Sequence, residues 1–345
     1  MPPSFSLMFR IRHLPFLRIS FPQLLPYTVL MSGKWKRIAL CGFLFAFIGV
    51  SGCRQKADEK VHTESPAQEA EKEPSYEELT DVQNRSDNIF TCSYEGVKHD
   101  FLVFLPDSTD GAPFVLMLHG YGESSGSFCS RVHFEEEACK RGFGVIYVDG
   151  APDPNDATSA SGWNSGIGRE GNNDTAFLCS LAAYLEKEYS FSKDRAYAVG
   201  FSNGAFMTHR LAMEASDVFS GLVSVAGKMP EKVWNSRNTE NHVSFFQVTG
   251  QKDDVVPKNS DGSSKYSSDP AIEEVMDYWA GSNGLKESSE EVIGKGSVLT
   301  KYSGEGEKKV WNLMVKGGRH SWPEESLCGF DMNSLILDFL EEGQL

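Results

Sequence analysis

From residue 97 onward the chain is punctuated by short apolar runs, at 97–105, 114–118, 144–148, 196–199, 221–225, 243–248 and 310–315. Three of them, 114–118, 144–148 and 196–199, are unbroken, and most of the others have a single polar residue or two. A strand with one wet face alternates apolar and polar residues, so unbroken runs of four or five residues describe strands covered on both faces. Between the runs, 175–187, 205–213, 271–280 and 334–340 carry apolar residues at helical spacing. Strands alternating with helices imply a doubly wound α/β fold, a mostly parallel sheet with helices on both sides. Ligands of such sheets meet the loops at the carboxyl ends of the strands, and the unusual residues of this chain collect there.

Gly200-Phe201-Ser202-Asn203-Gly204 follows one of those strands directly and precedes a helical stretch. The small residues on either side of Ser202 permit a sharp, strained turn that lifts its hydroxyl into a cleft. A second G-x-S-x-G, Gly122-Glu123-Ser124-Ser125-Gly126, lies between the strand ending at Leu118 and a helix expected from Ser127. Ser124 is separated from its strand by His119-Gly120-Tyr121-Gly122, so Ser202 is the better placed nucleophile.

A serine hydroxyl needs a base to remove its proton, and the base needs a carboxylate to hold its tautomer. Two segments downstream, each after a strand, supply them: Thr249 through Pro257, containing Asp253 and Asp254, and Gly317-Gly318-Arg319-His320-Ser321-Trp322-Pro323. Beyond the helical stretch that follows Ser202 and contains His209, only His242 and His320 remain, and His242 opens a strand at the wrong end of the sheet. His320 is therefore the expected base. Asp253, closest to its strand end, is the expected acid, with Asp254 as the alternative. Oxyanion donors are expected from the backbone N–H groups of Asn203 and Tyr121. His119 is expected to hydrogen-bond beneath the Tyr121 loop.

Together, Leu118 through Gly122, Asn173-Asp174-Thr175-Ala176-Phe177-Leu178, Gly200 through Ala205, Gly250 through Pro257 and Gly318 through Pro323 resemble the polyhydroxybutyrate depolymerase-like and feruloyl/acetylxylan esterase group of secreted α/β-hydrolases. The resemblance spans about residues 88–345. It implies an α/β-hydrolase fold with a small cap or none, and a serine esterase that needs no cofactor. Its Gly-x-x-Asp-x-x-Val-Pro pattern aligns the acid on Asp253, giving Ser202, Asp253 and His320 as the triad. The chain departs from the group at Asn173 and at Tyr121-Gly122, which bears on the substrate. A serine peptidase, or a surface binding protein without catalysis, would use the same scaffold.

Two tryptophans sit in the loops concerned. Trp163, in a long Gly, Ser, Asn and Pro-rich loop, and Trp322, beside the base, are expected either to line the substrate site or to anchor their loops. After the strand ending at Val225 only 228–241 intervenes before the next strand, too little for a large helical cap. That suits bulky or polymeric esters.

The first 52 residues hold six basic side chains and no acidic one. Met31 through Arg37 reads as a positive n-region, 38–49 as an apolar h-region, and Val50-Ser51-Gly52-Cys53 resembles a bacterial lipobox. A signal peptide over 1–52, with Met31 as an alternative start, is expected to be cleaved before Cys53. Lipidation of Cys53 would then hold the protein in the bacterial cell envelope, on the periplasmic or outer-membrane face. Residues 53–87, rich in Glu, Lys, Gln, Pro and Ser, are expected to form a disordered tether, and 88–345 one catalytic domain. Loss of six positive charges takes the net charge from −15 to −21, which argues against nucleic acid as a partner. Cys92, Cys129, Cys139, Cys179 and Cys328 remain, with no pairing evident and no metal-ligand spacing among them.

Overall fold

In the computed structural model, residues 76–152, 160–168, 171–238, 240–256 and 268–342 are described. All belong to one compact unit, Ala70–Leu345. The signal segment, Met31 and Cys53 lie outside the described residues. Among the described residues no helix is long and apolar enough to cross a membrane.

Eleven strands form one sheet: β1 (Thr80–Ser86), β2 (Ile89–Tyr94), β3 (Val97–Phe104), β4 (Phe114–Leu118), β5 (Gly144–Val148), β6 (Ala196–Phe201), β7 (Gly221–Val225), β8 (Ser244–Gly250), β9 (Leu285–Ile293), β10 (Ser297–Gly304) and β11 (Val310–Val315). Their order across the sheet is β1-β2-β3-β5-β4-β6-β7-β8-β11-β10-β9. The six central strands, β5 through β11 in that order, are parallel, and antiparallel ribbons close both edges. The helices are α1 (Ser125–Val132), α2 (Phe134–Ala138), α3 (Asp174–Tyr189), α4 (Asn203–Glu214), α5 (Glu231–Asn235), α6 (Ile272–Ser282), α7 (Glu325–Cys328) and α8 (Met332–Glu341).

Alternate residues of the parallel strands enter two cores. Leu116, Leu118, Ala198 and Leu222 face α3, α4 and α6, whereas Val115, Met117, Val199 and Val223 face α1, α2 and α8. Both faces of the central strands are thus dry, which is why their sequences show no polar alternation.

The ordered domain begins earlier than residue 88. β1 occupies part of the expected tether, pairing antiparallel with β2, and Tyr76, Leu79 and Val82 pack on the core. Its side chains are almost all exposed, so an edge strand held by main-chain bonds has the composition of a linker. Between β7 and β8 the only helix among the described residues is the five-residue α5.

Candidate active site

Ser202 stands between the end of β6 and the first turn of α4, with φ 51° and ψ −113°. That is a conformation a serine rarely adopts, and strain of this kind persists only where surroundings over-determine it. Here the Ser202 N–H donates to the Val225 carbonyl of the neighbouring strand loop at 2.9 Å, and the Phe206 N–H donates back to Ser202 O at 3.0 Å. A Cβ at Gly200 would overlap the Gly204 carbonyl oxygen, and one at Gly204 would overlap that of Leu118. Both glycines are required for so tight a crossing of β4, β6 and α4.

Asp253 and His320 follow two adjacent parallel strands, β8 and β11, whose last residues pair as Gly250 and Val315. Their loops are laced together. The Gln251 N–H donates to Val315 O at 3.0 Å, Lys252 N–H to Gly318 O at 2.7 Å, and Gly317 N–H to Gln251 Oε1 at 3.1 Å. Asp253 Oδ1 accepts the N–H groups of Val255 at 2.9 Å and Val256 at 2.8 Å, leaving Oδ2 to face His320 Nδ1 at 2.9 Å. The side chain of Asp253 is 1% exposed. Asp254 points into solvent. An ionised Asp253 can only accept, so Nδ1 carries the imidazole hydrogen and Nε2 is left basic. Ser202 Oγ lies 2.8 Å from that Nε2, and the hydroxyl donates to it. A hydroxyl, an imidazole and a carboxylate are therefore in direct sequence of contact, the arrangement that serine nucleophiles require.

Ser124, the competing serine, has a different duty. It caps α1, accepting from the Ser127 N–H at 3.2 Å while the Ser127 hydroxyl accepts from the Ser124 N–H at 2.9 Å.

With this geometry in place the chain can be set beside known proteins. The family described as serine hydrolase (FSH1) matches residues 111–278. The putative esterase NocK of Nocardia uniformis subsp. tsuyamanensis is 27% identical over 238 residues, 63% of this chain and 67% of that one. The bifunctional acetylxylan esterase/xylanase XynS20E of Neocallimastix patriciarum is 26% identical over 163 residues, 47% of this chain and 22% of that one. Feruloyl esterase B of Thermothelomyces thermophilus is 28% identical over 148 residues, 42% and 46%. The chain is similar to serine hydrolases and esterases, and its parallel sheet flanked by helices is that of an α/β-hydrolase fold. It spans less than half the length of the last two relatives.

The loop after β4 faces the same end of the sheet. His119 is fully buried; Gly150 N–H donates to its Nε2 at 3.0 Å, so its Nδ1–H donates to Gly120 O at 2.7 Å. The amides flanking Tyr121 are engaged, Gly120 with Glu123 Oε2 at 2.8 Å and Gly122 with Ser161 O at 2.8 Å. Asn203 is the first residue of α4, where helix N–H groups have no partner within the helix. Its side chain also works: Oδ1 accepts the Trp163 N–H at 2.6 Å and Nδ2 donates to Ser165 Oγ at 3.1 Å. That second role, pinning the loop after β5, has no signature in the sequence.

The two tryptophans need correction. Trp163 has no exposed surface, and its indole N–H donates to His119 O at 2.9 Å, so it anchors the loop instead of lining a substrate site. Trp322 is 8% exposed, donates to Asn333 Oδ1 at 3.1 Å and packs edge-on against Phe128 at 5.8 Å, tying the His320 loop to α8 and α1. Tyr121 and Val255 on the site's loops and Leu327 in α7, beyond the His320 loop, are half of the large apolar residues left exposed among those described. Only the position of Tyr121 and Val255 after strand ends marks them in the sequence, and nothing marks Leu327. His133, Glu135 and Glu136 are the one grouping with metal-ligand spacing among the described residues, and it lies at the surface around α2, outside this constellation.

Proposed function

We propose that the protein is a serine esterase working through an acyl-enzyme, with Ser202 as nucleophile, His320 as base and Asp253 as its orienting carboxylate. The observation that carries this reading is the unbroken contact from Ser202 Oγ through the imidazole to Asp253 Oδ2, at 2.8 Å and 2.9 Å, behind a strained backbone turn.

His320 Nε2 takes the hydroxyl proton as Oγ attacks the ester carbonyl. Asp253, held by two backbone N–H groups, stabilises the imidazolium that results without accepting its proton. The carbonyl oxygen becomes an anion and accepts hydrogen bonds from the N–H groups of Asn203 and Tyr121, worth about 3 kcal/mol of barrier for each good donor. The tetrahedral intermediate collapses, the alcohol leaves with the proton from Nε2, and an ester to Ser202 remains. Water then attacks with His320 again as base, releasing the acid. No cofactor enters this sequence.

Acetyl or feruloyl esters of polysaccharide are the substrate class favoured by the likeness to an acetylxylan esterase/xylanase and a feruloyl esterase. Tyr121, Val255 and Leu327 would give the cleft an apolar rim suited to an aryl or short acyl group. Hydroxyalkanoate polyesters fit the same rim. The basic, then apolar leader ending at Cys53 supports export and a lipid anchor in the cell envelope.

The purified protein should hydrolyse short aryl esters, and a panel of feruloyl, acetyl-xylan and hydroxyalkanoate esters ranks the substrates. Ser202→Ala is expected to lower kcat/KM by roughly four to six orders of magnitude. Ser124→Ala retains turnover and loses about 1 kcal/mol of stability with its cap. Hydrolysis surviving in the first variant and lost in the second defeats the proposal.

A further inference from the structure

The loop carrying Tyr121 is joined to the turn carrying Ser202 by a charged pair that the triad does not use. Gly120 N–H donates to Glu123 Oε2 at 2.8 Å. Glu123 in turn accepts a forked pair from Arg131, Nη2 to Oε1 at 2.8 Å and to Oε2 at 3.0 Å, with Nε to Oε1 at 3.2 Å. The same guanidinium lies 4.5 Å from the centre of the Phe201 ring and 5.1 Å from that of Phe128. Phe201 immediately precedes Ser202, and its ring is 5.4 Å from the imidazole of His320. One cation thus reaches the oxyanion loop through a carboxylate, and the nucleophile's turn and the base through an aromatic ring.

An isolated surface ion pair has little effect, but this one has fixed partners on both sides. Bidentate geometry and a ring beneath the guanidinium restrict Arg131 to one pose, which a lysine could not reproduce. Charge matters as well. A carboxylate bonded to the oxyanion loop places negative charge beside the oxygen where negative charge develops, and this opposes the reaction unless a cation cancels it.

Resting on the esterase reading above, the geometry points to Glu123 and Arg131 as a positioning pair for the oxyanion hole. Glu123 fixes Gly120, and with it the aim of the Tyr121 N–H. Arg131 holds and neutralises Glu123 while bracing Phe201. Neither touches the substrate. The second G-x-S-x-G acquires a purpose: Ser124 starts the helix whose last turn delivers Arg131.

The test compares the full-length protein with Glu123→Gln, Arg131→Met, Arg131→Lys and the double variant Glu123→Gln/Arg131→Met. Active sites are counted by fluorophosphonate titration, so that kcat is expressed per reactive serine and any unfolded fraction drops out. Arg131→Met should lower kcat roughly 10- to 100-fold with KM changed less than about twofold, the pattern of a group felt only in the transition state. Arg131→Lys should recover part of that loss. Glu123→Gln, which keeps an acceptor for Gly120, should lose about threefold, and the double variant should return to its level because no carboxylate is left to neutralise. Amide exchange over 119–123 should quicken about tenfold in Arg131→Met, whatever ester is assayed. Unchanged kcat per titrated serine, strictly additive losses in the double variant, or unchanged exchange each overturns the positioning role. A wild-type protein that does not titrate at all refutes the esterase reading itself, a distinct result, and removes this role with it.

Discussion

His209 shows how far one side chain's environment can depart from its chemistry in water. It sits in the middle of α4, 1% exposed, donating from Nε2 to Gln247 Oε1 at 3.1 Å and packed 4.6 Å from the Phe245 ring, while Gln247 passes the bond on to Gly227 O at 3.0 Å. Burial pushes its pKa down to about 3. In the unfolded chain the imidazole takes a proton near pH 6.5, whereas the folded chain refuses it until about pH 3. Between those values the unfolded state holds more protons, so stability falls as pH falls, by up to about 1.4 kcal/mol per unit. Urea unfolding at pH 7 and pH 4.5 should therefore show a loss in the wild type about 2 to 3 kcal/mol larger than in His209→Gln. Equal losses would mean that His209 takes up its proton in the folded state. In the sequence His209 is one apolar-face histidine of a helix, and nothing marks it as unusual. Ser202, His320 and Asp253 are legible because each follows a strand in chain order, while the burial of Trp163 and Trp322 is not, since an anchoring tryptophan and a substrate-facing one have the same neighbours in the chain.

At the scale of elements, the two G-x-S-x-G segments make a direct comparison. Gly204 closes an elbow in which an added methyl would collide with backbone, whereas Gly126 lies in the first turn of α1 with nothing within 4 Å of an added Cβ. Gly204→Ala should cost about 2–4 kcal/mol of stability by forcing the β4, β6 and α4 backbones apart, and Gly126→Ala should be neutral or gain up to about 1 kcal/mol. Thermal unfolding of the two variants checks this, and equal effects would contradict the elbow geometry. The parallel strands are readable to within a residue or two because both faces are dry. β9 is not, since Leu285–Ile293 is exposed along nearly its whole length and is a strand only through main-chain pairing with β10. β1 escapes notice for the same reason. The short helices α2, α5 and α7 have too few turns to impose a period.

Over the whole molecule, the sheet gathers at one end side chains that are up to 118 residues apart in sequence. Cys92, Cys129, Cys139, Cys179 and Cys328 are all free. Burial pushes the thiols of Cys92, Cys129 and Cys179 up to about 12 and that of Cys139 up to about 11, so they stay protonated and slow to react at neutral pH. The domain is held without disulfides among the described residues, by two cores on either side of one sheet. The central claim is that this architecture makes one serine, Ser202, nucleophilic through His320. Reaction with a fluorophosphonate, followed by peptide mass mapping, tests it directly. A single adduct on the peptide containing Ser202, formed at least about a thousandfold more slowly in His320→Gln, is the result the account requires. An adduct on Ser124, no adduct at all, or one that forms equally fast without the imidazole would contradict it.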